Sequence, residues 1–170
     1  MGDIKFSQRS VGYSSPACLA HEMDGGYAGY LTPDELIQLF NTLLDIEWIG
    51  ERSACALAAE SPSPEVRRFL EEVARESGRF ASAFSRHIED LGGERQTLTT
   101  LFQGAAGADG GFSERLALLS EGQSDIVRML KKALPRIQDD RLHAAVKEIL
   151  GAHEANHPLY AAIIEAMPHH

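Results

Sequence analysis

The sequence predicts an all-α fold: an antiparallel four-helix bundle with a long connection between its second and third helices and an irregular N-terminal arm. Three observations predict it. Apolar residues recur at helical spacing in four separate segments. Sharp start and stop signals bound those segments. A glycine-rich stretch between the second and third is long enough to carry the chain back along a bundle. At 170 residues the chain reads as one domain that can bury a real core without staples. Residues 1–30 form the arm and residues 31–167 the bundle domain.

Composition narrows the partners. With 25 acidic against 16 basic residues the formal net charge is -9, which argues against nucleic acid and anionic membranes. No apolar run approaches the ~20 residues of a membrane span. The start, Met1-Gly2-Asp3-Ile4-Lys5, lacks the apolar segment of a signal peptide. Two cysteines, Cys18 and Cys55, make no disulfide framework, so a reducing, cytoplasmic location is expected.

In the arm, Cys18 and His21 have the spacing of half a zinc site, but no second pair follows. A strap along the bundle is the expected role. The first helix starts at a capping box, with Thr32 as N-cap, Pro33 at the first helical position and Glu35 three residues in. Its apolar face runs through Leu36, Phe40, Leu43, Leu44, Ala54 and Leu57 to Ser61-Pro62-Ser63-Pro64. Glu47 falls on that face and Glu51 lies one turn further. Asp45 is read as off the stripe and Cys55 as a small core residue. The second helix begins near Pro64, carries Phe69, Leu70, Val73, Phe80, Phe84 and Ile88, and stops at Leu91-Gly92-Gly93. Glu76 faces inward on it, Arg79 stands at the edge of the face, and His87 lies at the rim. Gln96–Phe112 is the long connection.

The third helix runs from Ser113 to about Leu134, just before Pro135, with Gln123 inward and Glu121 on the opposite side. The fourth covers Asp140 to Met167 along Leu142, Val146, Ile149, Leu150, Tyr160, Ile163 and Ile164. That stripe passes through His153 and His157, one turn apart, with Glu154 at its edge. Pro158 is expected to kink the helix there.

Every helix therefore sets polar residues in mid-helix on an apolar face. Buried charges need partners. Carboxylates and imidazoles suit iron, manganese or zinc, and scarce thiolate argues against copper(I) and iron–sulfur clusters. Glu154 and His157, three residues apart, have the spacing that directs both donors at one ion. Two readings stay open. Glu47, Glu76, His153, Glu154 and His157 hold a metal, or the core is metal-free and Arg79 pairs with Glu76 or Glu47.

These residues resemble the ferritin-like superfamily, whose di-iron members take a Glu from each of two helices and a Glu-x-x-His from each of the other two. They resemble more closely an uncharacterised bacterial ferritin-like family. The matching segments are Asp34-Glu35-Leu36 through Glu47, Ser85-Arg86-His87-Ile88, Gly122-Gln123, Leu134-Pro135-Arg136 with Asp139-Asp140, and His153-Glu154-Ala155-Asn156. The resemblance implies the fold more than an activity; the leading functional reading is a ferritin-like metal-binding protein, an iron- or manganese-dependent oxidoreductase acting on oxygen or peroxide, in which Gln123 and Arg79 orient bound oxygen species or substrate. Zinc is the third metal such donors suit. Two departures stand out: Arg79 occupies the place of a second histidine, and Gln123 faces inward where a bridging glutamate is expected. The alternative is a metal-free bundle acting as a partner-binding or dimerisation module, and exposed apolar positions on long helices favour a homodimer. A helical small-molecule binder is a third reading and predicts an apolar pocket near His153.

Overall fold

The structure, a computed structural model, describes residues 29–96 and 110–167. Residues 1–28 of the arm, with Cys18 and His21, and residues 97–109 of the long connection lie outside the described residues. Among the described residues the chain is an all-helical bundle. Its helices are α1 (Pro33–Glu60), α2 (Pro64–Asp90), α3 (Phe112–Ala133) and α4 (Asp140–Glu165), with a 3-10 turn at Leu134–Arg136.

The helix ends form for local reasons. Thr32 Oγ1 accepts from the Glu35 amide at 3.2 Å, and the Glu35 carboxylate accepts from the Thr32 amide at 2.8 Å. Both bonds satisfy amides that a helix start leaves without partners. Ser63 caps α2 through the Val66 amide at 3.3 Å, and Asp139 caps α4 through the Leu142 amide at 2.7 Å. At the end of α2, Gly92 takes φ +77°, a left-handed conformation that favours glycine. Gly93 is glycine for a different reason: a Cβ there would stand 2.8 Å from Ile37 on α1. α4 stays helical through Pro158.

Side-chain pairings position the helices. Phe40 of α1 stacks on Phe84 of α2 with ring centroids 5.5 Å apart, while Phe69 of α2 meets Tyr160 of α4 edge-on at 5.0 Å. Glu60, at the end of α1, is paired with Arg115 near the start of α3. The Leu31 amide donates to the Arg136 carbonyl at 2.9 Å, tying the start of α1 to the 3-10 turn. The Gln96 amide donates to Asn41 Oδ1 at 2.8 Å, near the N-terminal end of α1. Gly110 leads into α3 beside the other end of α1, so the two described edges of the long connection sit at opposite ends of that helix.

The core falls into two apolar clusters. One gathers Phe40, Leu43, Phe84, Ile126, Leu130 and Val146; the other gathers Leu57, Leu70, Val73, Leu116, Leu119 and Tyr160. Between them, at one level of the bundle, lie the buried polar residues Glu47, Ser77, Gln123 and His153. Burying each large apolar side chain contributes roughly 1.5–3 kcal/mol, so the clusters hold the helices together.

Two sequence expectations need correction. Cys55 is exposed rather than core, because α1 turns Ala54, Leu57 and Ala58 inward and leaves Cys55 outside. Asp45 is buried, 6% exposed, on the flank of α1 it shares with Asn41, whose side chain is bonded to Glu94 and Gln96.

Candidate functional site: a buried polar layer

Three of the four residues in the polar layer bond one another, each from a different helix. Glu47 comes from α1, Gln123 from α3 and His153 from α4, with relative exposures of 0%, 3% and 2%. His153 Nδ1 lies 2.5 Å from Gln123 Oε1, and His153 Nε2 lies 2.8 Å from Glu47 Oε1. An amide oxygen only accepts, so Nδ1 carries a hydrogen and donates it to Gln123. At the other nitrogen, one proton must lie between imidazole and carboxylate, whichever of them formally holds it. Carboxylate and doubly donating imidazole then sum to zero charge. The set neutralises itself without an outside cation, as a buried ion pair must to persist.

Packing fixes this geometry. The Phe80 ring lies against the imidazole, centroids 5.2 Å apart. Gly50 on α1 lies against the same set: a Cβ there would sit 3.4 Å from Gln123 Nε2 and 3.4 Å from Ser77 Oγ, ordinary contact distance.

Beside this set, half-buried Glu76 accepts a hydrogen bond from Asn156 Nδ2 at 2.7 Å. Tyr160 is fully buried. Its hydroxyl and Glu47 Oε2 have no hydrogen-bond partner among the described residues. Burial first, then the negative charges of Glu47 and Glu76, push the Tyr160 phenol well above its ordinary range. It stays protonated, a donor facing acidic neighbours.

The remaining expected site residues lie elsewhere. Glu154 bonds Lys131 at 2.7 Å, its side chain 45% exposed, and His157 is exposed as well. Arg79 is exposed; its guanidinium sits 5.1 Å from the centroid of the Phe80 ring, with no carboxylate partner among the described residues. Around the level of the layer the inward side chains of α4 are His153, Asn156 and Tyr160, which puts the Glu154–His157 pair on the flanks. Among the described residues, no group of three or more His, Cys, Asp and Glu is gathered closely enough to hold a metal ion. Glu47, Glu76, His153, Glu154 and His157 therefore do not fit a dinuclear centre as they stand.

Two residues that matter here escape sequence reasoning. Tyr160 reads as plain core because its apolar ring fits the stripe, and nothing in the pattern flags its hydroxyl. Asn156 lies three residues from His153, and that spacing was the signal that could have placed it inward.

Solvent approaches the layer through a groove of about 260 Å³ between α1 and α3, with Gln123 in its lining. A larger apolar cup of about 1080 Å³, lined by Phe69, Phe112, Leu159 and Ile163, lies at the far end of the bundle and does not include His153. Among the described residues no helix is long and apolar enough to cross a membrane.

Comparison with curated proteins and with solved structures gives no match. A family model described as a domain of unknown function (DUF6306) matches residues 34–162, and the chain belongs to that family.

Proposed function

We propose that this chain is a ferritin-like bundle that works as an association module and runs no metal redox chemistry, its polar layer serving as a self-neutralised clasp. The ferritin-like arrangement is supported by the pairings. Phe40 on Phe84, Glu60 with Arg115, and Phe69 on Tyr160 suit α1 antiparallel to α2 and α3, with α4 antiparallel to α2. Gln96 and Gly110, at opposite ends of α1, suit a lengthwise crossover.

One observation carries the functional reading: both nitrogens of buried His153 are already engaged, one by Gln123 and one by Glu47. A ligating imidazole needs one nitrogen free for the ion. The Glu-x-x-His pair that α4 would add, Glu154 and His157, lies on exposed flanks of that helix. A buried clasp of this kind specifies which helix faces which, the best-attested use of a buried polar contact.

A second reading has its own support. Glu47 Oε2 is buried without a partner, and a single iron, manganese or zinc ion displacing the proton between Glu47 and His153 would satisfy it. Gln123 would then hold His153 Nδ1–H as a carbonyl commonly does behind a metal-bound histidine. Elemental analysis separates the two. Untagged protein, purified without a nickel column from cells grown with iron, manganese and zinc, is expected to carry far less than one metal per chain. One ion per chain, lost in Glu47→Gln, would establish the second reading and end the first.

A further inference from the structure

We infer that the groove between α1 and α3 is the docking surface for a second copy of this chain, an assignment that rests on the association reading and names its partner. The groove carries both halves of a self-complementary contact. Leu118 on α3 is 45% exposed, an apolar knob at the groove's edge. Gly50, Ser53 and Ala56 on α1, with Gly122 on α3, make the adjoining hollow. Among the described residues, a Cβ added at Gly122 would meet nothing within 4 Å. A two-fold contact requires one patch to present knob and hole together, because residue i of each copy meets residue j of the other.

The charges around the groove agree. Glu121 lines it from α3, and Arg52 stands exposed on α1, one turn from Ile49 and Ala56. Neither has an ion-pair partner among the described residues, whereas Arg115, Arg128 and Lys131 are all paired within the chain. A two-fold axis over the groove brings Arg52 of one copy toward Glu121 of the other. For a chain of net charge -9, an unspent cation beside an unspent acid is what lets two like-charged copies meet. Docking would also cover the Gln123 end of the polar layer.

Sedimentation velocity of the full chain over a range of concentrations tests this. The wild type is expected to dimerise. Gly122→Leu fills the hollow from a position with room for the added side chain, and should weaken association by about tenfold or more while the thermal melt stays cooperative. Arg52→Glu should weaken it too, and Arg52→Glu combined with Glu121→Arg should restore it. Leu159→Ser, at the bundle's far end, should leave it unchanged. A monomer at every concentration overturns the inference. A dimer indifferent to Gly122→Leu and Arg52→Glu also overturns it while leaving the association reading intact. A metal bound stoichiometrically would sink that reading whatever the assembly state.

Discussion

At the scale of single residues, the clasp makes Glu47 and His153 worth far more together than either is alone. Glu47→Leu or His153→Leu leaves the other group buried and unpaired, and each should cost about 3–5 kcal/mol in urea unfolding. Glu47→Leu with His153→Leu should cost clearly less than the two single losses added, since both charges leave together. Simple additivity would mean that the pair does not interact. Tyr160→Phe is the contrasting case. The hydroxyl has no partner among the described residues, so removing it should leave stability unchanged or slightly raised. A loss of about 1 kcal/mol or more would mean that a water or ion bonds that hydroxyl in solution. Of these residues, Glu47, Gln123 and His153 were legible in the sequence because each breaks an apolar helical stripe. Their mutual bonds were not, because periodicity gives the face of a helix and not its depth or its neighbour's register. Arg79 was expected to pair with Glu47 or Glu76. It lies over Phe80 instead, and a side chain at the edge of a face can swing outward where water solvates its charge.

At the scale of the helices, the caps and stops follow local chemistry and can be tested one at a time. Gly93→Ala forces a methyl into Ile37 and should destabilise the α1–α2 pair, whereas Gly151→Ala, where a Cβ meets nothing within 4 Å among the described residues, should gain about 0.5–1 kcal/mol of helix propensity. Equal effects at both positions would deny the close approach of Gly93 to α1. His87 of α2 gives a pH dependence. Burial against Phe40 lowers its pKa, with Arg86 acting the same way and Asp90 opposing. The unfolded chain therefore binds this proton more readily than the folded one. Stability is full above the ordinary histidine value of 6.5 and falls as pH drops through it toward the lower folded pKa. His87→Gln should flatten that acid-side slope, measured by urea unfolding across the range; an unchanged slope would assign it to other groups. Helix boundaries were readable because proline, glycine and capping residues act within a turn. The exposure of Cys55 and the burial of Asp45 were not, because both depend on which flank a neighbouring segment happens to cover.

At the scale of the whole molecule, the bundle is two apolar clusters separated by one polar layer. The apolar stripes announced the clusters, and the interruptions in those stripes announced the layer. What the sequence pattern could not settle was whether the interruptions converge on an ion or on one another, since Glu154 and His157 have the spacing of ligands and lie on exposed flanks of α4. The most direct measurement is the ¹⁵N spectrum of the His153 imidazole, recorded with and without excess zinc. A self-neutralised clasp predicts Nδ1 protonated throughout and an Nε2 signal that zinc leaves in place. An Nε2 signal that moves to a metal-bound position, with one equivalent of zinc retained after dialysis, would contradict it.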